Sequence, residues 1–313
     1  MSGALALTVL LPLWLPLTVV ADLLSRPRRL PVTRLTLFGL CWTWLETTGL
    51  VRLALAWMRG RAMDVATITE IQRWWAGALV GALRRTCGLR IEVEGLEAVR
   101  PGPVVMLVRH SSLVDALVSG WVVVDRAARR ARYVLKRELL WDPCLDVAGN
   151  RLPNHFVDRG AADSAPELAA LTTLAAGAGP DDCIVIFPEG TRANPEKRAR
   201  ALSKLGERAD RLSGLRHLLP PRPAGTAALL AGAPDADVAV GWHVGFEGMD
   251  TFGGIMRRMP PLSGRACRFV VSRIDRADVP SGDGFTEWLD DLWLDLDSEV
   301  DASLSARAEA GVR

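Results

Sequence analysis

Val104-Val105-Met106-Leu107-Val108-Arg109-His110-Ser111-Ser112-Leu113-Val114-Asp115 decides the fold. Five apolar residues, three of them valine, read as a buried strand. The run then breaks into a polar cluster with an imidazole and a carboxylate five positions apart. A second stretch repeats the pattern. Cys183-Ile184-Val185-Ile186-Phe187 is apolar and runs into Pro188-Glu189-Gly190-Thr191-Arg192. In α/β proteins ligands bind where buried strands run out into loops. The first cluster offers a base with an orienting acid. The second offers a turn, an acid and a guanidinium. A base beside an anion-binding turn suits attack by a hydroxyl on an activated acyl or phosphoryl group.

The surrounding sequence supports this class. Further strands are read at 89–93, 132–135, 155–157, 238–244 and 267–271, and helices at 112–124, 165–175 and 224–231. Strands alternating with helices predict an α/β sheet layered by helices. Residues 193–217 are charged and irregular, and read as a helical insertion. Residues 285–300 read as an amphipathic helix carrying Trp288, Leu289, Leu292 and Trp293 on one side, with a frayed tail after Ser303. There is no internal repeat.

Composition excludes some classes. The net charge is only +2 over 313 residues, which gives no bias toward nucleic acid. Hydrophobic residues make up 49% of the chain, high for a purely soluble protein. Five cysteines are widely spaced without a C-x-x-C pair, so they read as buried free thiols in a reducing compartment. No metal site is expected from them.

The amino terminus points to a membrane. Residues 3–21 carry no charge and are long enough to span a bilayer. Arg26, Arg28, Arg29 and Arg34 follow the run, which by the positive-inside rule puts the rest of the chain on the cytoplasmic side. A second apolar stretch, 35–58, contains Glu46 and Arg52 and three tryptophans. It fits a helix lying partly in one leaflet better than a second span. An amphipathic helix at 64–88 has two destinations, the membrane surface or the core. The expected organisation is membrane-anchoring helices over 1–62, a catalytic domain over 63–300 and a flexible tail over 301–313.

Four motifs carry chemistry. His110 and Asp115 form a base and its orienter if Asp115 lies one turn into a helix opened at Ser112. In Phe187 to Arg192, Gly190 permits a tight turn with exposed N–H groups, and Arg192 supplies a fork suited to phosphate. The third motif, Phe156-Val157-Asp158-Arg159, ends in an arginine, and Lys136 closes a short strand as the fourth. Singly, each has an ordinary surface reading. No G-x-S-x-G elbow is present, which argues against a serine hydrolase.

In this order and spacing the four motifs resemble the glycerolipid acyltransferase family, most closely the 1-acylglycerol-3-phosphate (lysophosphatidate) acyltransferases. The matching blocks are His110 to Asp115, Phe156 to Arg159 and Phe187 to Arg192, with Leu219-Pro220-Pro221-Arg222-Pro223-Ala224-Gly225 resembling the segment before a fourth block. The resemblance covers roughly residues 65–297. It implies a mixed central sheet layered by helices. It also implies catalysis by His110 with Asp115, and acceptor binding by Lys136, Arg159, Glu189, Gly190, Thr191 and Arg192. The donor it implies is acyl-CoA or acyl carrier protein as co-substrate, with no resident cofactor. The acceptor is a lysophospholipid and the setting a membrane, expected to be the inner (cytoplasmic) one. Two positions depart from the family. Arg109 stands where asparagine is common. Val238-Ala239-Val240-Gly241-Trp242-His243 lacks the usual fourth-block proline, and His243, ending a buried strand, reads as structural.

Overall fold

The computed structural model describes residues 2–157 and 164–310. Along the chain the elements are α1 (Ser2–Val9), α2 (Leu11–Ser25), α3 (Pro31–Met58), α4 (Val65–Ala82), β1 (Leu89–Glu94), β2 (Val104–Val108), α5 (Asp115–Trp121), β3 (Arg130–Lys136), α6 (Pro143–Gly149) and β4 (His155–Val157). They continue with α7 (Ala165–Ala176), β5 (Asp182–Ile186), α8 (Pro195–Leu202), α9 (Arg208–Arg211), α10 (Pro223–Gly232), β6 (Asp237–Val244), α11 (Phe252–Arg258), β7 (Arg265–Ile274) and α12 (Gly284–Glu309). Every strand expected from the sequence is present, with ends shifted by up to three residues.

The strands form one sheet in the order β1-β7-β6-β2-β5-β3-β4. β2 lies between β5 and β6 and is parallel to both, whereas β7 is antiparallel to β6. The sheet is therefore mixed. Its two faces are read directly from β2. Val104, Met106 and Val108 pack into one apolar cluster with α5, Phe246 and Phe269. Val105 and Leu107 pack into the other with α7, α10 and α12. Side chains alternate faces along a strand, so a strand covered on both sides has no polar position. That is why 104–108 is apolar throughout.

The amino-terminal run is not one helix. It breaks between Val9 and Leu11, and α1 and α2 meet at 71°. Among the described residues no single helix is long and apolar enough to cross a membrane. Most of the large apolar side chains of this bent pair face outward, including Leu13 (64% exposed), Leu17 (71%) and Leu24 (84%). Asp22 turns inward and caps α3, accepting N–H bonds from Val32 and Thr33. Arg34 is a structural tie, donating to the carbonyls of Arg29, Thr86 and Pro260. In α3, Glu46 faces protein and accepts from the Trp75 indole (2.9 Å) and the Cys144 N–H (3.1 Å). Of the two destinations open to the amphipathic helix α4, the core holds its apolar stripe: Ile68 and Leu79 are fully buried.

The carboxyl-terminal helix runs on to Glu309 where a tail was expected after Ser303. Asp297 accepts the N–H groups of Arg216, His217 and Leu218, and Asp301 pairs with Arg216 and His217. These bonds to the 216–218 segment extend the ordered part of the helix past the apolar stripe.

Candidate active site

Three chain segments meet beyond the carboxyl ends of β2 and β5. Helix α5 starts at Asp115, not at Ser112 as expected. The reason is that Asp115 folds back and takes the N–H groups of Ser111 (2.6 Å) and Ser112 (2.7 Å), which a helix begun at Ser112 would point elsewhere. The same carboxylate meets His110 Nδ1 at 3.0 Å and accepts from the Ser112 hydroxyl. The Asp115 side chain is wholly buried and that of His110 is 18% exposed. Burial works against the charge on Asp115, but the flanking imidazoles of His243 and His110 outweigh it. They hold the carboxyl far below the usual carboxylate range. His110 also packs against Phe187, with ring centroids 4.6 Å apart.

The second segment is the turn after β5. Gly190 has a φ of +69°, which favours glycine, and its N–H closes the turn onto the Phe187 carbonyl. That N–H is thus spent within the turn and not offered to a ligand, contrary to the expectation from sequence. Glu189 needs a larger correction. Expected to bind substrate, it is 2% exposed, and both oxygens face backbone. Oε1 accepts from His110 N (2.7 Å) and Oε2 from Leu219 N (2.9 Å). Burial pushes its carboxyl up to about 8, against the pull of those two N–H groups and Arg109. Glu189 is a tie between loops. Two backbone bonds complete the knot: Ala193 N to His110 O and Arg222 N to Pro188 O.

The 110–114 loop has five backbone N–H groups beside the base. All five are already engaged: His110 to Glu189, Ser111 and Ser112 to Asp115, Leu113 to the Met249 carbonyl, and Val114 to the Ser112 hydroxyl.

A cavity of about 620 Å³ opens beside His110. Its lining includes the cations Lys136, Arg192 and Arg222 and the apolar side chains Leu135, Leu139, Leu168, Leu171 and Ile186. Thr191 lies on the wall, where its hydroxyl accepts from Lys197 Nζ at 3.4 Å. Burial, together with Arg192 and Lys136, pushes the Lys197 ammonium below its ordinary value. The structure therefore brings His110, Asp115, Lys136, Gly190, Thr191 and Arg192 together, with Glu189 behind them. Arg159 lies outside the described residues. Sequence reasoning missed Lys197 and Arg222 as members of the cluster. Signals for both were present: Lys197 follows an Asn194-Pro195 helix start five residues after Arg192, and Arg222 sits in a proline-fixed segment. A base on a buried acid, beside a cavity lined by both cations and apolar side chains, suits proton removal from an amphiphile with an anionic head.

Comparison with known proteins follows the same line. A family model described as Acyltransferase matches residues 90–236. The 1-acyl-sn-glycerol-3-phosphate acyltransferase epsilon of Mus musculus is 30% identical over 191 residues, 56% of this chain and 51% of that protein. The 1-acyl-sn-glycerol-3-phosphate acyltransferase of Pseudomonas aeruginosa is 34% identical over 125 residues, 38% of this chain and 44% of that protein. The chain thus spans about half the length of the curated relatives it matches. The crystal structure of the 1-acyl-sn-glycerophosphate acyltransferase PlsC from Thermotoga maritima aligns with a TM-score of 0.52 at 15% identity. That alignment covers 85% of this chain and 95% of the other, and it shows a shared fold.

Proposed function

We propose, taking residues 90–236 as an acyltransferase domain, that the chain moves a fatty acyl group from acyl-CoA or acyl carrier protein to the free hydroxyl of lysophosphatidate, giving phosphatidate. One observation carries the reading: the His110–Asp115 pair opens onto a cavity lined by both cationic and apolar side chains. His110 takes the acceptor's proton as its hydroxyl attacks the thioester carbonyl. Asp115 fixes the tautomer and stabilises the imidazolium that forms. With the 110–114 N–H groups engaged, stabilising the oxyanion falls to the cationic side chains that line the cavity. The leaving thiol has a pKa of about 8.5 in the free state and leaves without a strong acid. Lys136, Arg192 and Arg222 hold the acceptor's phosphate, Gly190 and Thr191 shape the turn that carries Arg192, and Arg159 is proposed to assist. The apolar side chains take hydrocarbon. The chemistry calls for no metal or redox cofactor.

The acceptor assignment is tested with membranes containing the chain, labelled long-chain acyl-CoA, and lysophosphatidate, other lysophospholipids, glycerol 3-phosphate or no acceptor. Lysophosphatidate should be the preferred acceptor, and Arg192→Ala or Arg222→Ala should raise its KM about 10–100-fold, the worth of one charge-assisted bond. Preference for another lysophospholipid would reassign the headgroup. Free fatty acid formed without an acceptor would point to a hydrolase.

The same reading places the chain on a membrane, with the domain on the cytoplasmic side of the inner membrane. The exposed apolar faces of α1 and α2 support it, as does Trp141, 89% exposed on the turn that also carries the cavity residue Leu139. Replacing Leu13, Leu17 and Leu24 together by glutamate should move the chain from the membrane to the soluble fraction without lowering its melting temperature. Retention on membranes would refute attachment through this face. A reporter fused after Arg313 that proved to be outside would refute the sidedness.

A further inference from the structure

We infer that His243 is a positioning residue for the reaction: it shares the Asp115 carboxylate with His110 and so limits how strongly that carboxylate supports the base. This rests on the acyl-transfer reading given above. The strand register supplies the placement. β2 and β6 run parallel with Val108 opposite Gly241, and two residues farther along each chain stand His110 and His243. Asp115 reaches back between them. Its Oδ2 meets His110 Nδ1 at 3.0 Å, and its Oδ1 lies 3.1 Å from His243 Nε2. The second contact is at ion-pair distance and is not a hydrogen bond.

The surroundings of His243 leave it no other polar role. Its side chain is completely buried. The ring meets Phe246 edge-on at 5.1 Å and stacks on Phe269 at 6.1 Å. Nδ1 has no partner among the described residues. The charged groups nearby act on other atoms. Arg109 donates to the His243 carbonyl and stands 3.6 Å from Glu247, and Glu189 bonds the His110 and Leu219 backbone. A histidine needed only for packing would not require its nitrogen against the one carboxylate that orients the base.

The sign of the effect is the same for the imidazolium and for the neutral ring protonated on Nε2, the nitrogen that faces Asp115. A neutral N–H beside Asp115 draws off part of the carboxylate's charge, and an imidazolium would neutralise more of it. Either way His110 gains less support from Asp115, and removing His243 returns that support.

The test compares wild type, His243→Leu and His243→Gln, because the glutamine amide reaches the same oxygen while leucine cannot. In His243→Leu the acid limb of kcat/KM should move up by about half to one pH unit, giving roughly a 3–10-fold loss below the limb. His243→Gln should return toward wild type, with acceptor KM unchanged in both. The chain has four histidines, so the His110 ring can also be titrated by NMR in 15N-histidine-labelled protein without substrate. It should titrate at higher pH in His243→Leu. An unmoved His110 titration, or equal losses in both variants that track their melting temperatures, would overturn the inference. Absence of acyl transfer by wild type to any acceptor would instead sink the acyl-transfer reading, and the NMR arm would still decide the role of His243 beside Asp115.

Discussion

His110→Ala is expected to lower kcat/KM for acyl transfer about 10³–10⁴-fold, near the upper end of what a positioned general base supplies. With Nδ1 held by Asp115 at 3.0 Å, Nε2 is the ring nitrogen left to accept a proton at the cavity. Alanine removes it and puts nothing in its place. Among the other groups lining the cavity, Glu167 is paired with His155 at 2.6 Å. The loss should fall on kcat, because the acceptor contacts proposed for Lys136, Arg192 and Arg222 are untouched. Stability should change by only about 1 kcal/mol, since Asp115 keeps the two N–H groups of Ser111 and Ser112. Steady-state transfer from labelled acyl-CoA, with a melting curve beside it, checks both halves. Wild-type rates in the variant would place the base elsewhere, with Glu138 on the cavity wall the next candidate.

Glu189→Ala should damage both stability and activity, the stability by about 2–6 kcal/mol. The figure follows from two N–H donors, buried at Leu219 and partly buried at His110, left without acceptors at about 1–3 kcal/mol each. Transfer should fall because the His110 backbone loses its tie. Wild type carries a related pH signature. The Glu189 carboxyl is pushed up to about 8 in the folded chain, against 4.5 for an ordinary glutamate. Between those values the folded chain holds a proton that the unfolded chain has released. Stability should therefore be highest near the low end of that window and decline as pH rises through 8. Glu189→Gln should flatten the decline. Denaturant melts from pH 5 to 9 measure it, and an identical slope in wild type and glutamine variant would remove Glu189 as its source.

The strands were legible because burial on both faces writes unbroken apolar runs, as at 104–108 and 183–187. The two motif loops were legible because polar residues begin where those runs stop. Side-chain direction was not. Glu189 lies in the same turn as Arg192, yet one points into the protein and the other lines the cavity, and sequence spacing does not separate them. The sheet order was also hidden. Nothing in residues 238–244 announces that β6 lies against β2, so His243 read as a packed strand end, 128 positions from the carboxylate it touches. Arg109, which departs from the acyltransferase pattern, and His243, in the segment that lacks the fourth-block proline, prove to be in contact. At the amino terminus, composition gave length and apolarity but not the 71° bend.

The bonds that join the 110, 189, 193 and 222 loops make the base and the acceptor turn a single mechanical body. His110 hangs from the turn at both its N–H and its carbonyl, through Glu189 and Ala193. A load on the turn from a phosphate is carried to the imidazole with no hinge between them. A base held this way is in place before any substrate arrives, so on the proposed reading no lid is needed to assemble it, and water is kept out by the acceptor that fills the site.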